Sequence, residues 1–314
     1  MLMSDFFNKF IMVLGPNPAW QKTLFFKELI VGEVNRAYDM NSFPSGKGIN
    51  FSRASSVWGK NHTMLLQFTG GSTGKLICDG LDAEGIHHTT VAVDHITRTC
   101  TTCLCQTTGE MTELIEPSNT VDDVSIGKML DFMREHIKSC LGIALCGTLP
   151  GKTDMKLYIE AATLAETYGI PLLIDSWQDI KPVLEIAENA ILKINLTELR
   201  QITGEKTPRE ATLAALNDFH LKAVAITDGP GNAYTASANG FHVYQLKKLD
   251  HVVNPLGSGD TVAAVFFSEY LNEAPIEEAF ASGLAAASAN CLTPLCGHFD
   301  VQTALEIRKG ITIS

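Results

Sequence analysis

The sequence predicts an α/β fold with a mainly parallel central sheet covered on both faces, and a small second sheet beside it. Two observations carry this. From about residue 141 onward, short β-branched runs alternate with helical segments, the pattern of a parallel sheet buried between helices. Nearer the front, two stretches break that rhythm with apolar–polar alternation, as exposed antiparallel strands do.

In chain order, the first irregular stretch spans about residues 20–43, "KTLFFKELIVGEVNRAYDMNSF", with Gly32 at a turn. The second spans about 89–114 and is Thr-rich, and Thr108-Gly109 suggests a hairpin. Both are expected to add antiparallel strands, either as a small second sheet or lid or as surface meanders with no function. "LGIALCG" reads as a buried strand, and the segment behind it as a helix ending at Gly169. "IPLLID" is the next strand, and "DIKPVLEIAENA" is expected to be helical, with Pro182 in its first turn. "ILKIN" is a strand and "LTELRQITG" a helix. "TPREATLAALNDFHL" is a helix with Pro208 early, and "KAVAITDG" is another buried strand. "HVVN" is strand-like, and "TVAAVFFSEYLNE" has the apolar stripe of a buried helix.

The chain of 314 residues is 45% hydrophobic and 19% charged, which suits one large α/β domain over residues 1–314. A formal net charge of −11 argues against nucleic-acid or anionic-membrane partners. No stretch approaches the ~18 apolar residues of a membrane span. The N-terminal run is broken by Asn8 and Lys9 and does not read as a signal peptide. Eight cysteines without a secretion signal are expected to be reduced core thiols in a cytoplasmic protein. Cys100, Cys103 and Cys105 lack a second cluster at metal-ligand spacing.

Three short motifs carry chemistry. "NPLGSGD" places Gly257, Ser258 and Gly259 at a predicted strand-to-helix turn, with Asp260 in the first helical turn. Unpaired first-turn amides and the helix dipole suit an anion there. The same residues are equally those of a helix cap, in which Ser258 or Asp260 satisfies N–H groups. The dinucleotide fingerprint is excluded, because Val262 stands where its third glycine belongs. "GGSTGK" fails the Walker pattern at Thr69 and Leu76. "PSGKGINFSRAS" puts Lys47 and Asn50 at a glycine-rich helix start, fit for hydroxyls or phosphate or for a plain solvated loop. In "KINLTEL", Glu198 fits either an N3 capping carboxylate or a ligand that orients Mg²⁺ through water.

Taken in order, these motifs resemble the PfkB-type, ribokinase-like carbohydrate kinases, and among them the hexose-phosphate branch of 1-phosphofructokinases and tagatose-6-phosphate kinases. "LGPNPAWQKT" is similar to that branch's opening "LNPAxDxT", and "VGEVNRA" with "SGKGINFSRA" to its "GxxNR…GGKGxNxxR". "TRTC", "TELIEPS", "CGTLP", "KINLTEL", "ITDGPGNA" and "NPLGSGDTVAA" follow in the family's order over nearly the whole chain.

The resemblance implies a three-layer α/β/α fold with a β-sheet lid, and ATP-dependent phosphorylation of a ketohexose phosphate with Mg²⁺. It implies Asp260 as general base, with the Gly257, Ser258 and Gly259 turn as anion hole. Gly46, Lys47 and Asn50 match sugar-binding positions, and Arg98 the arginine that grips the acceptor's phosphate. Arg36 is a second candidate for that phosphate. Lys193, Asn195, Thr227, Gly229 and Asn290 match the nucleotide side, and Glu198 the Mg²⁺ side. A homodimer through the lid is expected. The chain departs from the family on the sugar side: Gln21 stands for an aspartate that binds sugar hydroxyls, and Ser45 for the first glycine of "GGKG". A kinase for another sugar or nucleoside, or a non-catalytic sugar-phosphate binder, are the competing expectations.

Overall fold

The computed structural model describes residues 9–314; residues 1–8, on which part of the signal-peptide reading rests, lie outside them. The first half of the chain contains β1 (Phe10–Leu14), β2 (Ala19–Phe26), β3 (Asp39–Ser45), α1 (Lys47–Trp58), β4 (Thr63–Thr69), α2 (Gly71–Glu84), β5 (His88–Ala92), β6 (Thr99–Cys105), β7 (Met111–Ile115), α3 (Asp123–His136) and β8 (Cys140–Cys146). There follow α4 (Lys156–Tyr168), β9 (Leu172–Asp175), α5 (Lys181–Leu184), β10 (Ile191–Asn195), α6 (Leu196–Thr203), α7 (Pro208–Asp218) and β11 (Ala223–Asp228). The chain ends with β12 (Asn232–Ser237), β13 (Gly240–Gln245), α8 (Ser258–Leu271), α9 (Ile276–Asn290), α10 (Val301–Arg308) and β14 (Thr312–Ile313).

Ten strands form one sheet in the order β14-β13-β12-β11-β10-β9-β8-β1-β4-β5. Strands β11 through β5 of that order run parallel, and β12, β13 and β14 close the other edge antiparallel. Alternate residues of one strand feed two cores. Met12 and Leu14 pack with Met129, Leu130 and Leu157 from α3 and α4. Ile11 and Val13 pack on the opposite face with Ile49, Phe266 and Phe280 from α1, α8 and α9. Burial on both faces is why these strands read as continuous apolar runs. On the α8 side the strands are small-residued (Ala144, Ala223, Ala225) because the helices bring large aromatic rings.

The other four strands form a separate sheet, β3-β2-β6-β7. Its central pair corrects the sequence expectation: β2 and β6 run parallel, with Gln21 opposite Cys100. Only the flanking pairs, β2–β3 and β6–β7, are antiparallel. His88–Ala92 also departs from expectation. It lies in the large sheet, parallel to β4, so the second irregular stretch contributes to the small sheet only from Thr99. The hairpin at Thr108-Gly109 is present, with Gly109 at φ 71°.

Two further corrections concern local structure. The helix expected over "DIKPVLEIAENA" is four residues long, α5. Asp179 and Asn189 adopt left-handed backbone at either side, and Val183, Leu184 and Ala187 turn into the core. "HVVN" is not a strand. The amides of Val253 and Asn254 both donate to the Cys291 carbonyl at the end of α9, so a loop delivers the chain to α8. No helix among the described residues is long and apolar enough to cross a membrane.

The helix α1 leaves the small sheet and presses its first turn against the end of β1. A Cβ on Gly48 would lie 2.4 Å from Gly15 Cα. Gly48→Ala therefore has to push α1 off β1, at a cost of about 1–3 kcal/mol. A lower thermal melting midpoint is the expected result, and an unshifted melt would show that this contact is not tight.

Candidate active site

The carboxyl ends of β1, β8, β9, β10 and β11 converge on one edge of the large sheet, where open parallel sheets bind ligands. The amino ends of α1 and α8 point there too. Gly15, Gly46, Lys47, Arg98, Gly147, Thr148, Ser176 and Trp177, with Ile115 of the small sheet, line a cavity of about 200 Å³. It lies where the small sheet meets the large one.

The turn before α8 is built from backbone. Gly257, at φ 75°, packs its Cα against Cys296, where a Cβ would meet Cys296 Cβ at 2.8 Å. No side chain caps the helix. Ser258 N–H donates to the Pro255 carbonyl at 3.3 Å, so that amide is engaged rather than open. The Gly259 and Asp260 amides have no acceptor among the described residues. Lys193 Nζ donates to the Gly259 carbonyl at 2.7 Å and holds the turn from below.

Asp260 is not a capping residue. Its Oδ2 accepts from Asn50 Nδ2 at 2.7 Å, across from α1. The side chain is buried, with 8% exposure. Burial pushes its carboxyl up to about 6, and the Asp175 charge adds to that. Lys47, the Asn50 hydrogen bond and Lys193 oppose the rise.

Asp175, at the end of β9, is a residue the sequence reading missed. Its carboxylate takes Lys47 Nζ at 2.7 Å on one oxygen and Lys193 Nζ at 3.4 Å on the other. Burial disfavours its charge, but the two ammonium groups outweigh burial and hold it below the usual aspartate range. Burial likewise works against the Lys47 charge, and Asp175, Glu198 and Asp260 together raise its pKa regardless. A strand-end aspartate is too common to single out locally; its position at the carboxyl edge of a parallel strand was the available signal.

The remaining predicted residues divide. Gly46, Lys47 and Arg98 share the cavity. Arg98 spends Nη2 on the Asn17 carbonyl at 3.0 Å, while its buried Nε has no partner. Arg36 is exposed on the loop between β2 and β3. Gln21 is buried in the small sheet, outside the cavity lining, with Nε2 on Thr102 Oγ1 at 2.8 Å. Asn195 and Thr227 are neighbours in register at the ends of β10 and β11, and Gly229, exposed at φ 67°, follows. Asn195 and Glu198 form a capping box, N–H to carboxylate at 3.0 Å and N–H to amide oxygen at 2.9 Å.

Two of the nucleotide-side candidates are buried and have partners within the fold. Lys193 is buried and committed to Asp175 and Gly259. Asn290 is fully buried, and its Nδ2 supports the Leu256 carbonyl before the turn at 3.2 Å. Ser176 was also missed: it is 1% exposed, lines the cavity, and its Oγ has no partner. The glycines of "GGSTG" serve packing. A Cβ on Gly70 would lie 2.1 Å from the His95 carbonyl, and Gly70 and Thr97 are paired through N–H to O bonds, which fixes the segment carrying Arg98.

The large, mostly parallel sheet with helices on both faces and the small separate sheet beside it make up a ribokinase-like α/β fold. The signature of the pfkB family of carbohydrate kinases matches residues 17–304, and the chain belongs to that family. Solved structures bear the same fold. The phosphofructokinase-2 from Escherichia coli in complex with substrates and products superimposes with a TM-score of 0.88 at 20% identity, over 96% of this chain and 99% of that one. A possible 1-phosphofructokinase from Thermotoga maritima gives 0.85 at 19% identity, over 97% and 99%. The ribokinase from Arabidopsis thaliana complexed with ribose and ATP gives 0.74 at 19% identity, over 96% and 99%.

The raised carboxyl of Asp260 has a stability consequence. In the unfolded chain it ionises in the ordinary aspartate range, so folded stability is lost as pH rises from about 4 through about 6. Asp260→Asn is expected to melt higher than the parent at pH 7.5, with the gap closing toward pH 4. Equal melting temperatures at pH 7.5 would contradict the buried charge.

Proposed function

We propose that this chain is an ATP-dependent kinase that transfers the γ-phosphoryl group to a hydroxyl of a ketohexose phosphate, of the 1-phosphofructokinase or tagatose-6-phosphate kinase type. The observation that carries it is the Asp260 carboxylate, set at an uncapped helix start and hydrogen-bonded across to Asn50. Residues 1–314 act as one kinase domain with the small sheet as lid.

In this reading Asp260, ionised above about pH 6, accepts the proton of the acceptor hydroxyl. The oxygen forms its bond to the γ-phosphorus as the bond to the β-phosphate oxygen breaks, and ADP leaves. The turn of Gly257, Ser258 and Gly259 stabilises charge on the transferring group, chiefly through the Gly259 and Asp260 amides that lack other acceptors. Lys47, held protonated by its acidic neighbours, faces the same charge from the cavity. Arg98, in the cavity wall, meets the phosphate already on the acceptor, a role that suits a guanidinium. Ser176 offers a free hydroxyl at the same wall.

Asn195, Thr227 and Gly229 carry the nucleotide along adjacent strand ends. Glu198 keeps one carboxylate oxygen outside its capping bond and would hold Mg²⁺ through water. No group of three His, Cys, Asp or Glu side chains among the described residues forms a protein-only cage. That donor set fits a metal bound mainly by phosphates and water, where it would neutralise phosphate charge.

A kinase for a different sugar or nucleoside is the second reading. It is favoured by Gln21, whose amide is tied to Thr102 where the family's aspartate would meet hydroxyls. The lid also exposes Val31, Val34, Tyr38, Met40, Leu114 and Ile115, which supports a homodimer formed through this sheet. Eight free thiols fit the reducing cytoplasm as the working compartment.

Asp260→Asn is expected to lower kcat at least ~10²-fold, the scale of a general base, with ATP affinity retained. Undiminished turnover would remove the base assignment. An ADP-release panel of fructose 1-phosphate, tagatose 6-phosphate, fructose 6-phosphate and unphosphorylated sugars, run with the parent and Gln21→Asp, decides the acceptor. Preference for an unphosphorylated sugar would overturn the role given to Arg98. Light scattering at working concentration should return twice the chain mass; a monomer would sink the lid dimer.

A further inference from the structure

Asn50 faces two ways. Its Nδ2 donates to Asp260 Oδ2 at 2.7 Å. Its Oδ1 accepts two hydrogen bonds, from Ser45 Oγ at 3.2 Å and from Arg53 Nη1 at 3.3 Å. All three side chains are buried. An amide is nearly symmetric in shape, so only its partners decide which end faces the carboxylate. Two donors on one side leave the N–H₂ end for Asp260. Flipping the amide would set oxygen against the Asp260 carboxylate and N–H₂ against an arginine.

Arg53 is itself fixed on every side. Nε and Nη2 grip both oxygens of Glu84 on α2 at 2.6 and 2.9 Å. Nη2 also reaches the Pro44 carbonyl in lid strand β3 at 2.8 Å, and Nη1 the Cys296 carbonyl at 3.0 Å. Cys296 is the residue packed on Gly257. One guanidinium thus ties the lid strand, both helices and the turn at α8 to the amide that meets Asp260. Ser45 is where the chain departs from the family's glycine, and its hydroxyl adds a donor that glycine lacks.

We propose that Ser45 and Arg53 are positioning residues that act through the Asn50 amide to orient the Asp260 carboxylate for proton abstraction. The inference rests on Asp260 being the base, as set out above. It assigns Asn50 primarily to the base and not to the sugar. The other charged or titratable groups around Asp260 are Asp175 on β9, Lys47 on α1, Lys193 on β10, Cys146 on β8 and Cys296 in the loop after α9. None of them is altered by a change at Ser45.

The test is the pH profile of kcat and kcat/KM for Ser45→Gly and Arg53→Lys, with the best acceptor from the panel. Ser45→Gly inserts the family's own residue at the end of a strand and is expected to fold. Loss of its bond should lower kcat on the order of fivefold, the scale of one neutral hydrogen bond. The acid limb should move to higher pH, because the Asn50 bond favours the ionised carboxylate. Arg53→Lys keeps the charge but not the fork, and should cost on the order of tenfold or more with the same direction of shift. Unaltered kcat and an unmoved acid limb in Ser45→Gly overturn the proposal, whether or not Arg53→Lys folds. An effect confined to KM for the acceptor also overturns it, since Asn50 would then serve the sugar. Asp260→Asn is run alongside. If it is inactive while Ser45→Gly behaves as the parent, only the positioning role fails. If it stays active, the base assignment fails and takes this inference with it.

Discussion

A single buried carboxylate organises the centre of this molecule. Asp175 ends β9 with its charge out of water, which no fold tolerates without compensation. The compensation is Lys47 from the start of α1 and Lys193 from β10. Lys193 then reaches on to the Gly259 carbonyl, so the charge pair also sets the height of the turn before α8. Asp260 is pushed toward its neutral form first by its own burial and then by the charge of the same Asp175. Removing both lysines would strand a buried charge, and removing Asp175 would leave two ammonium groups without their shared counter-charge. The sheet edge, both helix starts and the cavity floor therefore share one electrostatic arrangement.

Close backbone approach is the second constraint, and it operates at two places. Gly48 against Gly15 lets α1 sit low enough for Lys47 to meet Asp175. Gly257 against Cys296 lets the loop after α9 lie under the turn. Side chains at either point would lift a helix start by more than the reach of the hydrogen bonds that follow. The glycine-rich start of α2 is a contrasting case. Its sequence resembles a phosphate loop, yet its glycines make room for the segment that carries Arg98.

Much of this was legible in the sequence where the signal is local. The alternation of strand and helix after residue 141 follows from two-sided burial, and Thr207 and Pro208 mark the start of α7 as capping chemistry requires. The chemistry-bearing motifs stood out because their residues are adjacent. What escaped was long-range. Val252 and Val253 have strand-like side chains, but their neighbour is a helix end and not a strand. His88–Ala92 resembles the lid in composition and was claimed by the free edge of β4. Asp175 carries no local mark of its partners, which lie 128 and 18 residues away. The motif gives the identity and order of Lys193 and Asn290, but not their burial or the partners they take inside the fold.

The parallel pairing of β2 with β6 has a kinetic meaning. Antiparallel neighbours can close through a short turn, but these two strands are separated by β3, α1, β4, α2 and β5. The small sheet has no local nucleus for its central ladder, so it assembles only after the intervening unit has placed both strands side by side. The central ladder of the small sheet joins residues far apart in the chain, Trp20 with Thr99, while its flanking pairs β2–β3 and β6–β7 are local. The sheet is held at its base by Arg53 Nη2 on the Pro44 carbonyl and by the packing of α1 on β3 and of α2 on β2 and β3, and along its length by its own ladders. A sheet that forms late in this way closes over the edge of the large sheet only once the strands and helices that build that edge are in place.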